Sequence, residues 1–326
     1  MEHWAPTKAE ARLLEAEAKE SGVRSLGMIV LAGSIVAGGV AYLADEQRSS
    51  GTKPAAKSGS SAAIAGLHGA ASLLALSVFA DSAIEHSRGR YRNPGMYAPV
   101  LISGLVVGAN ATAMFGGHGS GARDVLHGTS VALGLAGVGF HAWNVLHRPA
   151  GVCWHNLFYA APVGAPSALA LAGIIGAAAD HVRVLPGEPA TLAGLPAGRA
   201  LSGLIAAGLV GTVAEVGLLH FRGAFNSPYM FLPVTLPPVA AWLLARAAIR
   251  PPDGNLFVTK TMLGVTAAVG LAGAFFHARG ISRMMGGWRN WSQNLTDGPP
   301  VPAPPSFSAL AIAGLAALAL LEAADG

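Results

Sequence analysis

Two pairs of histidines are spaced so that each pair can lie on one face of a helix. The pairs are His68 with His86 and His127 with His141. At about 100° and 1.5 Å per residue, the members of each pair lie on one helix face, about 27 Å and about 21 Å apart. Two such helices facing each other in parallel place His68 opposite His127 and His86 opposite His141. Neutral imidazoles so placed suit the axial positions of two stacked b-type haems.

An internal duplication adds two more candidate ligands. The segment His86–Pro99 recurs later in the chain as His220–Pro233, with His, Arg, Gly, an aromatic residue, Pro and Met in the same order. The segment Gly134–Ala142 recurs at nearly the same offset as Gly270–Ala278, which makes His277 the equivalent of His141. Ordered matches of this kind predict two repeats.

The second repeat predicts fewer haem sites than the first. Ser202 stands at the position of His68, and Leu263 stands at that of His127. Only the His220–His277 pair is left there, so the sequence predicts two or three haems in all.

An arginine follows three of these histidines at the second position, as Arg88, Arg222 and Arg279. At the headgroup level such a guanidinium can pair with a haem propionate through two hydrogen bonds. The alternative is that His and Arg at a helix C-terminus complement its dipole and extend to the membrane interface.

A carboxylate also recurs in both repeats. Asp81 shortly precedes His86, and Glu215 precedes His220 by the same interval. Ionisable residues inside a membrane span are costly, which makes both candidates for a proton relay. Pairing with a hydroxyl or an arginine of a neighbouring helix is the structural alternative.

The composition indicates the elements that must position these residues. Of 326 residues, 52% are hydrophobic and only 12% are charged, against about 25% in soluble domains. An all-α membrane protein follows, and a window of about 20 residues predicts nine transmembrane helices. These lie near 25–44, 62–86, 96–116, 125–146, 157–180, 199–221, 228–248, 257–279 and 303–323.

The duplication divides these helices into tandem units. We expect an amphipathic tail (1–24), an extra helix with its loop (25–61), and four-helix bundles at 62–182 and 199–324. Because four spans return the chain to its starting side, the two bundles are parallel repeats. A net charge of +4 spread over short loops excludes a nucleic-acid partner.

The histidine pattern resembles the four-helix diheme cytochrome b modules of quinone-linked respiratory complexes. The resemblance covers residues 62–180, and the longer spacing of His68 from His86 departs from it. It implies a b-type cytochrome subunit that passes electrons between partner oxidoreductase subunits and quinone without catalysing a reaction alone. Such a subunit is expected in the bacterial inner membrane.

Two other functions remain open from the sequence. One is a haem-free quinol-binding anchor that resembles polysulfide-reductase-type membrane subunits, which also use two four-helix bundles. The other is a transporter built from parallel repeats. The chain lacks a P-loop, a nucleophile elbow and a metalloprotease motif, which argues against an independent enzyme.

Overall fold

The computed structural model describes residues 58–115, 121–159, 162–185, 188–250 and 256–325. This part of the chain is mostly helical. The predicted tail 1–24, the predicted span 25–44 and the loop that follows it to residue 57 lie outside the described residues.

The helices follow one another in an order close to the predicted one. They are α1 (Ser58–Arg88), α2 (Tyr97–Ala113), α3 (Gly121–Leu146), α4 (Trp154–Tyr159), α5 (Gly164–His181), α6 (Ala197–Arg222), α7 (Leu232–Ile249), α8 (Phe257–Ser282), α9 (Trp291–Asp297) and α10 (Pro305–Asp325). Short 3₁₀ helices at Pro94–Met96, Pro228–Phe231 and Gly287–Asn290 precede α2, α7 and α9. A two-stranded antiparallel hairpin, Thr191–Leu192 with Leu195–Pro196, precedes α6.

Seven helices in the described part of the chain are long and apolar enough to cross a membrane. They are α1, α2, α3, α6, α7, α8 and α10. The helix α5 has 18 residues and is not among the seven, because Asp180 and His181 lower the apolar character of its end. Together with exposed apolar side chains such as Leu135, Val210 and Leu271, these helices make the chain an integral membrane protein.

The predicted span 157–180 is divided in the structure. The short helix α4 ends at Tyr159, and α5 begins only at Gly164. Pro162 has no amide hydrogen to continue a helix, which explains why the apolar run does not form one element.

The long helices pack in two groups with matching contacts. In the first group α1 packs on α2 and α5, and α3 packs on α2 and α5. In the second group α6 packs on α7 and α10, and α8 packs on α7 and α10. The main contact between the groups is α1 with α10, whereas α5 and α6 touch much less.

Glycines allow the same close helix crossing in both groups. A Cβ atom at Gly134 would lie 2.7 Å from the carbonyl oxygen of Pro166, and one at Gly270 would lie 2.8 Å from that of Pro304. Small residues let membrane helices approach closely, so a larger side chain would force α3 from α5 or α8 from α10.

Candidate functional site

Five polar side chains meet inside the first helix group. We call His68, Asn110, Arg123, His127 and Asp180 the buried polar cluster. They come from α1, α2, α3 and α5, so each of the four helices contributes. The side chains of His68, Arg123, His127 and Asp180 are at most 3% exposed, and Asn110 is fully buried.

The Arg123–Asp180 ion pair lies at the centre of this cluster. Arg123 donates from Nη2 to Asp180 Oδ1 at 2.5 Å and from Nε to Oδ2 at 3.2 Å. Two hydrogen bonds of this geometry form a bidentate, charge-assisted contact. The pair joins the beginning of α3 to the end of α5.

Asn110 connects the two histidines and fixes which of their nitrogens carry a proton. Its Nδ2 donates to the Val106 carbonyl at 2.9 Å, which settles the orientation of the amide. Its Oδ1 therefore accepts from Nδ1 of His68 at 2.9 Å, and its Nδ2 also contacts Nε2 of His127 at 3.1 Å. Nε2 of His127 is then an acceptor.

The other nitrogen of each ring faces Asp180. The distance from His68 Nε2 to Asp180 Oδ1 is 3.8 Å, and that from His127 Nδ1 to Oδ2 is 3.5 Å. A proton added at His68 Nε2 would turn the first approach into a charge-assisted contact. The cluster therefore directs the second ring nitrogen of each histidine toward the same carboxylate.

The predicted haem between His68 and His127 does not fit this arrangement. Both nitrogens of each ring face Asn110 or Asp180, so neither ring directs a lone pair into a space for iron. The helix α5 also approaches closely, since a Cβ atom at Gly176 would lie 2.5 Å from His127 Nε2. The proximity of the two histidines was predicted, but they come together through polar side chains.

The second group has an uncharged core, mostly of leucines, at the corresponding place. Gly314 of α10 faces Leu244 and Leu263, as Gly176 of α5 faces Asn110 and His127. Extension of the repeat alignment along these helices assigns the following counterparts to the cluster: Ser202 for His68, Leu244 for Asn110, Thr259 for Arg123, Leu263 for His127 and Leu318 for Asp180. All five counterparts are buried.

The helix-end histidines make a different kind of contact. In His86, His141, His220 and His277, Nδ1 hydrogen-bonds a backbone carbonyl, respectively that of Met96, Pro162, Met230 and Pro300. We call the side of the molecule that carries these four residues the histidine end. Each ring is oriented by the loop that follows its helix or by the segment that precedes the next one.

The contacts within these loops explain the duplicated sequence phrase, which comprises His86–Pro99 and His220–Pro233. His86 reaches Met96 at 2.6 Å, and His220 reaches Met230 at 2.8 Å across the same interval of sequence. Tyr91 stacks on Tyr97 with ring centroids 4.3 Å apart, and Phe225 stacks on Phe231 at 4.5 Å. Burial raises the pKa of the Tyr91 phenol, so this ring stays neutral in the stack. The phrase closes the loop after α1 and the loop after α6.

The three arginines that follow a helix-end histidine do not share one contact. Arg88 pairs with Glu85 at 3.1 Å on the surface. Arg222 donates to the Phe158 carbonyl at 2.8 Å, and Arg279 is exposed. Their predicted common role toward a propionate stays a prediction.

Asp81 and Glu215 also lie toward the histidine end. The Glu215 carboxylate accepts a hydrogen bond from the Gly164 amide, at the N-terminus of α5, where the helix dipole favours negative charge. A Cβ atom at Gly164 would overlap that carboxylate. Asp81 is within electrostatic reach of Glu85 and Glu215, which brings the two predicted carboxylates into one region.

The proline-rich segment before α10 links the two groups at this end. The Pro300 carbonyl accepts from His277 at 2.8 Å, and the Pro302 carbonyl accepts from Ser77 of α1 at 2.5 Å. The segment thus lies over the His277 region.

Three members of the cluster were not singled out in the sequence. Arg123 and Asp180 stand at the ends of helices, where charges are usually solvated, and Asn110 is a single amide in an apolar run. A signal was present, because the duplication aligns Asn110 and Arg123 with uncharged residues, Leu244 and Thr259. A buried charge or amide that is present in only one repeat is not required for the helices to pack.

Comparisons with family models, with curated proteins and with solved structures found no match for this chain. Within the described residues, no group of three or more His, Cys, Asp or Glu side chains is arranged to hold a metal ion. The candidate site consists of the buried polar cluster and the groups at the histidine end.

Proposed function

We propose that the protein is a haem-free, quinol-interacting membrane subunit of a respiratory oxidoreductase in a bacterial inner membrane. Its two helix groups are parallel repeats, and the first of them exchanges the protons that accompany quinol oxidation. Partner subunits accept the electrons and carry out the remaining chemistry.

The buried polar cluster is the observation that carries this proposal. Removing a paired Arg and Asp from water costs several kcal/mol per ion before their attraction is counted. Ser202, Thr259 and leucines fill the same place in the second group, so the helices can pack without charged residues there. A costly cluster in only one of two similar groups is expected to serve a function.

The chemistry of quinol oxidation calls for groups of this kind. Each quinol that becomes a quinone releases two protons and two electrons, and the protons need acceptors inside the membrane protein. We assign Asp81 and Glu215 as the acceptors nearest the quinol, at the histidine end. The buried polar cluster lies about 20 Å further along α1. We assign it as the second proton acceptor, with His68 Nε2 and Asp180 as the pair that takes up the proton.

The experiment is a quinol oxidation assay on the complex that copurifies with the full chain. We expect Asp81→Asn, Glu215→Gln and Asp180→Asn each to lower turnover at least about tenfold, because each loses a positioned acid or base. Glu322→Gln is the control, because Glu322 is a half-exposed carboxylate that pairs with Lys260 on the surface of the second group. Turnover that is equal in all four variants would overturn the proposal.

A b-type cytochrome is the second candidate, and the helix-end histidines favour it. An imidazole that ligates a metal usually donates the N–H of its other ring nitrogen to a carbonyl or carboxylate. The Nδ1 atom hydrogen-bonds a backbone carbonyl in all four helix-end histidines, His86, His141, His220 and His277. The pairs His86/His141 and His220/His277 would then hold one haem each through Nε2. The haems would supply one-electron transfer.

The optical spectrum of the purified chain separates the two candidates. A colourless protein is expected from the first proposal. A Soret band that is lost in His86→Ala or His220→Ala would support the cytochrome instead and remove the haem-free assignment.

A further inference from the structure

The loop between α1 and α2 surrounds a cavity with three arginines. The cavity has a volume of about 450 Å³, and its lining residues are Arg88, Gly89, Arg90, Arg92, Asn93 and Met96. Arg90 and Arg92 have exposed side chains, whereas Arg88 is paired with Glu85. We call residues 88–93 the arginine loop. With Glu85 included, its net charge is +2.

The equivalent loop of the second group shows that the fold does not need these arginines. Both loops have two consecutive residues with positive φ, Arg90 and Tyr91 at 53° and 47°, and Ala224 and Phe225 at 55° and 46°. Ala224 therefore replaces Arg90 without a change of backbone, and Asn226 replaces Arg92 by the same offset. The extra charges are confined to one of two loops of the same conformation.

The position of the cavity indicates which anion it can meet. The membrane-spanning helix α1 ends at Arg88, and the next span begins at Pro94. The cavity therefore opens at the depth of the lipid headgroups, where long basic side chains place their charge. Guanidinium groups bind phosphate oxygens through paired hydrogen bonds.

We propose that the arginine loop is a binding site for the phosphodiester headgroup of an anionic phospholipid. Arg90 and Arg92 contact the phosphate, and Arg88 with Asn93 closes the cavity around it. This site is independent of quinol chemistry and of the buried polar cluster.

The test measures lipid binding to the full chain purified in a neutral detergent. Native mass spectrometry follows the titration of short-chain phosphatidylglycerol, with phosphatidylcholine of the same chain length as the zwitterionic probe. The variant Arg90→Ala/Arg92→Asn copies the second loop. The matched control Arg283→Ala/Arg289→Ala removes the same charge from exposed positions at the histidine end.

We expect the loop variant to bind phosphatidylglycerol about 25-fold more weakly, since each basic side chain near an anionic surface strengthens binding roughly fivefold. The control variant should bind it as the native chain does. Equal weakening in both variants, or weakening in neither, would overturn the proposal. A third arm adds sodium phosphate, and displacement of phosphatidylglycerol by equimolar phosphate would assign the cavity to a free anion and overturn the lipid site. The helical signal in far-UV circular dichroism checks that both variants are folded.

Discussion

Arg123 and Asp180 form a bidentate ion pair in which the side chains are 0% and 2% exposed. The two residues are far apart in the sequence and lie on α3 and α5. Because a buried charge without its partner is strongly destabilising, each residue constrains the identity of the other. This relationship explains why neither charge can be replaced without the other.

Removal of one partner should destabilise the protein more than removal of both. Asp180→Leu leaves Arg123 buried without its carboxylate, and we expect a loss of about 3–5 kcal/mol in the free energy of unfolding. Arg123→Thr/Asp180→Leu installs the residues of the second group and should recover most of that loss. Denaturant unfolding in mixed micelles, followed by circular dichroism, measures both. A double variant that is less stable than Asp180→Leu would contradict the expected coupling.

Replacement of the whole cluster should separate folding from function. The variant His68→Ser/Asn110→Leu/Arg123→Thr/His127→Leu/Asp180→Leu copies the core of the second group, so the helices should pack with native helical content. Under the proposed function, quinol oxidation by the assembled complex should fall to background, because the variant lacks the proposed second proton acceptor. Native turnover in this folded variant would assign the cluster a structural role.

The effect of adding a side chain at Gly164 should depend on the presence of the Glu215 carboxylate. Gly164→Ala places a Cβ atom where the Glu215 carboxylate lies, so we expect it to displace that carboxylate and lower quinol oxidation. Gly164→Ala/Glu215→Ala removes the overlap, and the unfolding midpoint should return toward that of Glu215→Ala alone. Thermal unfolding of the three variants tests this. If Gly164→Ala has the native unfolding midpoint and the native turnover, the close approach of Gly164 to Glu215 matters neither for stability nor for quinol oxidation.

The helix-end histidines His86 and His220 should contribute equally to the free energy of unfolding if loop closure is their main role. His86→Ala and His220→Ala each remove one hydrogen bond to a methionine carbonyl, and each should cost about 1 kcal/mol of stability. His86→Asn and His220→Asn offer an amide N–H donor in place of the ring N–H and should recover part of the lost stability. Unfolding curves of the four variants provide the comparison. A large loss in only one loop would show that its histidine does more than close the loop.

The helices were largely predictable from the sequence, and the cluster was not. Apolar runs of about 20 residues determine where spans form, since each span satisfies its own backbone. The prediction failed at 157–180, where Pro162 interrupts an apolar run. Arg123 and Asp180 resemble solvated charges at helix ends, because a sequence does not show that both ends turn inward toward one another.

The duplicated phrase illustrates the same limit for the site. Its residues were expected to bind a cofactor, yet His86, Tyr91, Met96 and Tyr97 contact one another and close a loop. Short-range spacing can identify such a recurring unit. It does not distinguish a ligand from a loop contact, since both place a histidine at the end of a helix.

The sequence by itself determined that this is a helical membrane protein, and it placed His68 and His127 on two separate spans, each on the helix face that carries a second histidine. Periodicity and span length suffice for this, because they act within single helices. Only the tertiary structure decided that Asn110, Arg123 and Asp180 complete their environment, since these residues meet through helix crossings that no local pattern encodes. Burial inside the first group converts five ordinary polar residues into one coupled site.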